Sequence, residues 1–200
     1  MEIKPRTQAD RSAATKDALV SAARPLFAEH GFRGVGTEAI VRAAGVTRGA
    51  MYHQFADKTE LFAAVFEAVE VDVNQRIAQA IVESGETDPI RVMELGAHAW
   101  IDACADPEVQ RIVLIEAPAV LGWERWREIG MKYGVGLVEG LITHAIAVGR
   151  IPEQPVKPLA HVFVGAVDEA ALYVVRAEDP DRAREDMRAV VSRLVAAIAT

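Results

Sequence analysis

Four residues in one short stretch have side chains suited to contacting a DNA duplex, namely Arg48, Gly49, Tyr52 and His53. On a helix with about 3.6 residues per turn they fall on one side. The guanidinium is a forked donor that can bind a guanine edge, the glycine allows close backbone approach, and the two polar rings can contact phosphates. This side therefore suits a helix lying in a major groove. An ordinary helical hairpin with a solvated polar side is the alternative.

A second set of residues, Glu94, His98 and Asp102, has metal-ligand chemistry, because carboxylates and an imidazole recur four residues apart on one helix face. No second cluster supplies the remaining ligands, so a network of surface pairs is the favoured interpretation and we predict no metal site and no cofactor. His144 and His161 are more typical of core or surface histidines than of catalysts. No nucleophile is accompanied by an identifiable base, and G-x-S-x-G and H-E-x-x-H motifs are absent from the sequence. We predict no catalytic residue; an all-α metal-dependent enzyme is the alternative.

Two short helices joined by a tight turn must position Arg48. Thr37 is predicted to cap the first helix, since its hydroxyl can accept from the free amides of the first turn. Gly45 is predicted to end that helix, because glycine accepts a positive φ without a Cβ clash. Thr47 then caps the second helix, which runs to about Phe55. Its apolar side consists of Val46, Ala50, Met51 and Phe55.

The stretch from Gly31 to Phe62, GFRGVGTEAIVRAAGVTRGAMYHQFADKTELF, resembles the DNA-binding domain of the TetR family of transcriptional repressors. Its AGV turn, its TRGAMYHQF recognition helix and the following DKTEL helix start have the family's order and spacing. The resemblance implies an all-α fold in which a three-helix helix-turn-helix domain precedes a helical domain for ligand binding and dimerisation. It also implies a DNA-binding regulator, a repressor released from its operator by a small molecule; activation uses the same DNA contact.

Matching this chain to the family pattern implies a role for each residue of the recognition segment. Arg48 and Thr47 would contact base edges, and Gly49 would allow close approach. The phosphates would be held by Thr37, Tyr52, His53 and Lys58. Two recognition helices in a homodimer should lie about 34 to 36 Å apart, one turn of the duplex, or a multiple of it.

The distribution of charge supports a DNA-binding N-terminal part. The chain of 200 residues has a net charge of −7, which at first sight argues against nucleic acid. Residues 1–58, however, contain nine basic and six acidic residues, a net charge of +3, whereas residues 59–200 contain 13 basic and 23 acidic residues, a net charge of −10. A phosphate backbone would attract the first part and repel the second. We take these ranges as the DNA-binding domain and the ligand-binding and dimerisation domain.

Composition and hydropathy favour a cytoplasmic protein. The hydrophobic fraction of 51% is enough for a substantial core, and Cys104 is the single cysteine, so no intrachain disulfide can form. No uncharged run approaches the roughly 18 residues that a membrane span needs, and the N-terminus lacks a signal-peptide core. We expect no membrane partner.

Periodicity and capping signals predict about nine helices and no strand. The first should run from about Ser12 to His30, with Pro25 kinking it, after a mobile tail over residues 1–11 that includes Arg6 and Arg11. A D-x-x-E capping box at Asp57 and Glu60 should open a long helix that continues to Gly85 and is shared by both domains. The pairs Asp88-Pro89, Asp106-Pro107 and Asp179-Pro180 predict helix starts near residues 89, 107 and 180. Further long helices are predicted over residues 122–148 and 155–177.

Bulky side chains in the second part are candidates for lining a small-molecule cavity, although they also fill cores. These are Met93, Trp100, Cys104, Trp123, Trp126 and Tyr133. The last two helices have apolar stripes that can form a self-complementary four-helix interface in a homodimer. A ligand that fits better when the shared helix is tilted would then move the two recognition helices off consecutive grooves. A helical protein-interaction module is the remaining alternative.

Overall fold

The computed structural model describes residues 7–199, and within that range the chain forms helices and no strand. We number nine helices: α1 (Gln8–Gly34), α2 (Thr37–Ala44), α3 (Arg48–Gln54), α4 (Lys58–Ser84), α5 (Pro89–Ala103), α6 (the consecutive segments Pro107–Val109, Gln110–Glu116 and Ala117–Leu121), α7 (Trp123–Ala147), α8 (Val156–Arg176) and α9 (Pro180–Ile198). The predicted all-α fold with about nine helices is confirmed. The middle segment of α6 is a π-helix, a geometry that is often found at functional sites.

The three Asp-Pro pairs begin helices as the sequence predicts. The side chains of Asp88, Asp106 and Asp179 accept hydrogen bonds from backbone N–H groups two or three residues later, at 3.2, 2.9 and 3.1 Å. In each case proline occupies the first helical turn, where a missing N–H costs nothing. The starts of α5, α6 and α9 are therefore fixed by local chemistry.

Helix α1 begins earlier than predicted, whereas its predicted end at His30 coincides with a break in helical geometry. It begins at Gln8 and not at Ser12, because Thr7 and Asp10 form a capping box with hydrogen bonds of 2.9 and 3.2 Å. Within α1 the backbone leaves helical dihedral angles at Gly31, where φ is +69°, and not at Pro25. The predicted mobile tail therefore includes residues that are helical. Its first six residues, with Arg6 among them, lie outside the described part.

Two other predicted caps are wrong in part. The N-cap of α2 is Gly36, and the Thr37 hydroxyl does not cap the helix but contacts the Glu38 carboxylate at 3.4 Å. Asp57 caps α4 by accepting from the Glu60 N–H at 2.9 Å. The reciprocal bond of a capping box is missing because the Glu60 carboxylate binds Arg125 of α7.

The first half of α4 belongs to one of two hydrophobic cores, and α4 also packs against α5 and α7, which contribute to the other core. One core joins α1, α2, α3, α4 and α6 and has Phe27, Ile40, Met51 and Phe62 at its centre, each with 0% exposure. The other joins α5, α7, α8 and α9. Because α4 begins at the recognition segment and continues past the cavity described below, it mechanically connects the two parts of the molecule.

Helix α8 alone, among the described residues, is long and apolar enough to span a membrane, with a mean hydropathy of 1.4. It packs against α5, α7 and α9, and its residues Phe163, Val167, Ala170 and Val174 are buried in the second core. Its apolarity is therefore used, at least in part, inside the protein.

Candidate DNA-binding face and ligand cavity

Helix α3 is held against α1 by its inner side. Met51 is fully buried and Phe55 is 6% exposed, both in the first core. The Gln54 amide donates to the Ser12 hydroxyl of α1 at 2.8 Å, and the Thr47 hydroxyl caps α3 by accepting from Ala50 N–H at 3.1 Å. The turn before it has the predicted positive φ, +66°, at Gly45. The outer side of α3 is thereby fixed in orientation.

The outer side of α3 presents the predicted DNA-contacting residues to solvent. Arg48, Gly49, Tyr52 and His53 are exposed together, next to exposed Thr47. The Arg48 guanidinium lies 5.6 Å from the centre of the Tyr52 ring and 3.2 Å from a carboxylate oxygen of Glu38. A hydrogen bond from its own backbone N–H, together with the Arg48 charge, lowers the pKa of Glu38. The structure thus brings these side chains together on one accessible face.

Lys58 has contacts within the protein that the sequence did not indicate. The Lys58 ammonium donates to the carbonyl oxygens of Phe32 and Val35 at 2.8 and 2.9 Å, and it lies 4.1 Å from the centre of the Phe32 ring. Two of its three N–H bonds are therefore used to fix the α1–α2 loop. At most one remains for the predicted phosphate contact of Lys58.

A cavity of about 130 Å³ lies between α4, α5, α6, α7 and α8. Its walls are mainly apolar, with Ile77, Met93, Trp100, Leu137 and Phe163 among the lining residues. By the same measure one water occupies about 10 to 15 Å³, so the cavity has room for a ligand of roughly ten non-hydrogen atoms. An apolar cavity with a few polar groups is the usual form of a small-molecule site.

The polar groups of the cavity meet at one end. Glu70 and Asn74 come from α4, Arg127 from α7 and Asp168 from α8. Arg127 and Asp168 form an ion pair at 2.5 Å, while Glu70 is 3% exposed and receives a bond from the Asn74 amide at 3.5 Å. Burial and the Asp168 charge raise the pKa of Glu70 to about 8, and burial raises the pKa of Asp168 to about 6.

Three of the six residues predicted to bind a ligand line this cavity, namely Met93, Trp100 and Trp126. The other three do not, and their contacts explain why. Cys104 is buried in the first core, Trp123 is 66% exposed with its ring tilted against that of Trp126 at a centroid distance of 4.8 Å, and the Tyr133 hydroxyl donates to Glu67 at 2.7 Å.

Sequence reasoning missed Glu70 and Asp168 as cavity residues. One signal was available for Glu70, which lies among Phe66, Val69 and Val73 on the apolar side of α4, where a carboxylate is out of place. No comparable signal marks Asp168.

The residues considered for a metal site are not gathered into one. His98 Nε2 lies 3.1 Å from the Arg188 carbonyl oxygen, Asp102 pairs with the Arg188 guanidinium at 3.3 Å, and Glu94 pairs with Arg91 at 2.5 Å. Two of the three thus join α5 to α9. No cluster of three His, Cys, Asp or Glu residues with metal-binding geometry occurs within residues 7–199.

A chain of polar contacts joins the cavity to the start of α4. The Trp126 indole lines the cavity and donates to the Val113 carbonyl in the π-helical part of α6 at 2.9 Å. Its neighbour Arg125 binds Glu60 through two hydrogen bonds of 2.6 and 2.8 Å. Because Glu60 is in the first turn of α4, cavity and recognition segment are connected through adjacent residues of α7.

The fold and this face define a helix-turn-helix protein with a separate ligand cavity. A family model described as bacterial regulatory proteins, tetR family, matches residues 19–65, and one described as tetracyclin repressor-like, C-terminal domain, matches residues 90–198. The second match covers more than half of the chain, which therefore belongs to the TetR family of transcriptional regulators. The prediction of a DNA-binding transcriptional regulator of this family is confirmed. Transcriptional regulators of this family are not enzymes.

Individual relatives agree with this assignment. The transcriptional regulator CymR of Pseudomonas putida is 40% identical over 104 residues, which span 51% of each chain. A TetR-family regulator from Pectobacterium atrosepticum, solved as a crystal structure, is 30% identical, covers 98% of each chain and has a TM-score of 0.82. RolR, solved with the ligand resorcinol, is 20% identical with a TM-score of 0.72 over 96% of each chain, which shows the shared fold.

Proposed function

We propose that this protein is a homodimeric, cytoplasmic repressor that leaves its operator when a small molecule occupies the cavity. Residues 1–58 would bind the duplex, and residues 59–200 would bind the effector and dimerise. The exposed cluster of Arg48, Tyr52 and His53 on a rigidly held α3 is the observation that carries this function. RolR, a neighbour in fold, was solved with the aromatic ligand resorcinol, which supports the cavity as an effector site.

The proposed DNA contacts are those that the family pattern implies for these residues, and the exposure of the outer side of α3 supports them. Arg48 and Thr47 would reach base edges near the N-terminal end of the helix, with Gly49 permitting close approach. Tyr52, His53 and Thr37 would hold phosphates, and Lys58 would add a single N–H. Phosphate contacts position the protein and make affinity dependent on salt, whereas the guanidinium supplies sequence preference.

Selecting bound fragments from random duplexes tests this function most directly. We expect paired half-sites whose centres are one helical turn, or a multiple of it, apart. Gel shifts on the selected duplex, repeated across candidate effectors, then test the response. A protein that prefers no duplex sequence at low salt contradicts the proposal.

The last two helices offer the surface for the homodimer. Val162 and Tyr173 on α8 are eleven residues apart, about three turns, so they share a side, and Val190 and Leu194 on α9 are one turn apart. All four are exposed, at 70, 53, 43 and 44%. Apolar side chains on two adjacent helices suit a self-complementary four-helix interface between two copies.

Replacing Leu194 by glutamate should dissociate the dimer. The substitution puts two unpaired carboxylates into one interface, so we expect dimerisation at least about 100-fold weaker. Operator affinity should fall as well, because one recognition helix reads only a few base pairs. Sedimentation velocity measures the first effect and fluorescence anisotropy the second. Val82→Glu, at a residue of α4 that is 74% exposed, is the control that should stay dimeric; a dimeric Leu194→Glu protein contradicts the interface.

The contacts between Trp126, Arg125 and Glu60 are our candidate for the route of regulation. A ligand that moves Trp126 moves Arg125 with it, since the two are consecutive on α7. Arg125 then pulls on the first turn of α4 through Glu60. The leverage is limited to the difference in ligand affinity between the two arrangements of α4.

Replacing Arg125 by alanine should therefore weaken the effect of the ligand on operator affinity, while the affinity for the ligand itself should change little. Changes along such routes alter coupling by about 0.5 to 2 kcal/mol, so we expect the ligand-induced loss of operator affinity to shrink by roughly 2- to 30-fold. Ligand affinity without DNA, measured by calorimetry, should stay within about twofold. Arg150→Ala removes a similar two-bond pair with Asp88 away from α4 and is the matched control. An unchanged response in Arg125→Ala rules out this route.

A further inference from the structure

The polar end of the cavity has one more acidic side chain than basic side chains. Arg127 is paired with Asp168 at 2.5 Å, so these two charges balance each other. Glu70 lies at the same end of the cavity, and only 3% of its surface is exposed. Within the described part of the chain Glu70 makes no ion pair, and its contact is the Asn74 amide. Gly130 of α7 lies close to this carboxylate, since a Cβ there would be 3.8 Å from Glu70 Oε1, an ordinary van der Waals contact.

We propose that the effector is a small amphipathic cation whose positive group binds beside Glu70 and Asp168 while its apolar body lies against Met93, Trp100 and Phe163. This inference rests on the proposed function, because it takes the cavity to be the effector site. A cation would give Glu70 the counter-charge that the protein does not supply. Opposite charges attract strongly within apolar walls, where water does not screen them.

An anionic effector fits this end poorly. Arg127 would have to exchange Asp168 for the ligand, which leaves the Asp168 carboxylate partly buried without a partner. The ligand would also face Glu70.

The titration of Glu70 gives the proposal a pH signature. The charged or titratable groups around it are Asp168 on α8, Arg127 on α7 and Cys104 at the end of α5; burial raises the pKa of the Cys104 thiol out of the neutral range. With a pKa of about 8, Glu70 is mostly protonated at neutral pH. A bound cation favours the ionised form and so lowers this pKa. Binding should release a proton near neutrality, and affinity should rise from about pH 6 and level off above about pH 8.

Two probes of one shape separate charge from packing. Benzyltrimethylammonium has a permanent positive charge, and neopentylbenzene replaces its nitrogen by carbon. Calorimetry on the free dimer at about pH 8, in buffers of different ionisation enthalpy, gives affinity and proton release together. We expect the cation to bind at least about tenfold more tightly than the neutral probe.

Variants assign the preference to Glu70. Glu70→Gln keeps the shape of the protonated acid. In this variant the affinity for the cation should fall at least about tenfold, and its binding should no longer depend on pH or release a proton. The affinity for the neutral probe should change by less than about twofold. Asp168→Asn should also weaken binding of the cation, because it leaves the positive charge of Arg127 without its partner. Glu67→Gln is the control, because that carboxylate binds Lys132 and Tyr133 outside the cavity.

The possible results distinguish failure of the cationic effector from failure of the proposed ligand response. Equal affinity for both probes, no binding of the cation at millimolar concentration, or an unchanged preference in Glu70→Gln overturns the cationic effector. Operator binding is then measured separately by gel shift. A neutral compound that releases the operator would preserve the proposed function without this inference. A cation that binds through Glu70 and leaves operator affinity unchanged supports the site chemistry and contradicts the ligand response.

Discussion

Arg48→Ala should lower affinity for the selected operator by roughly 30- to 20,000-fold. A bidentate arginine–guanine pair contributes about 1 to 3 kcal/mol of discrimination, and a dimer presents two such arginines. In the free protein the Arg48 side chain is 62% exposed and its ion pair with Glu38 is a surface contact. Breaking this ion pair therefore costs little free energy, and most of the free energy of the arginine–guanine contact contributes to operator affinity.

Fluorescence anisotropy on the selected duplex and on a scrambled duplex measures this loss. Affinity for the scrambled duplex should fall far less, because it depends on phosphate contacts and salt. Arg48→Lys is the matched control, since it keeps the charge and removes the fork, so it should retain non-specific binding and lose sequence preference. If Arg48→Ala binds the selected duplex within about twofold of the unchanged protein, α3 does not read bases through this residue.

Phe62→Ala should destabilise the protein by about 3 to 5 kcal/mol, the range for removing a fully buried phenylalanine. Phe62 has 0% exposure, and its ring contacts those of Phe27 and Phe32 edge-on at centroid distances of 5.2 and 5.4 Å. These three rings join α4 to the end of α1. The cavity left by alanine therefore weakens both the core and the attachment of the recognition segment to α4.

Urea denaturation followed by far-ultraviolet circular dichroism measures the destabilisation. Phe62→Leu keeps most of the buried volume and should cost less, which separates the lost volume from the lost ring contacts. Val82→Ala is the surface control on α4, where the side chain is 74% exposed. A loss below about 1 kcal/mol in Phe62→Ala would show that the junction repacks.

The sequence by itself determined most helix starts and the exposed face of α3 that is proposed to bind DNA. Gly45, Thr47 and the three Asp-Pro pairs act on backbone groups within a few residues, so their effect does not depend on the rest of the fold. The separation of Met51 and Phe55 from Arg48 and Tyr52 follows from helical periodicity alone. The α1 start was missed because the Thr7 and Asp10 capping box lies in a polar stretch without an apolar stripe.

The tertiary structure alone decided which distant residues meet. Glu60 lies close enough to cap its own helix, but it binds Arg125, 65 residues away, because α7 packs beside α4. Lys58 is bound to carbonyls of the α1–α2 loop, and Tyr133 faces Glu67 and not the cavity. The polar end of the cavity takes residues from three helices. Such contacts depend on how whole helices cross, and that is set by the packing of both cores and not by the spacing of residues in the chain.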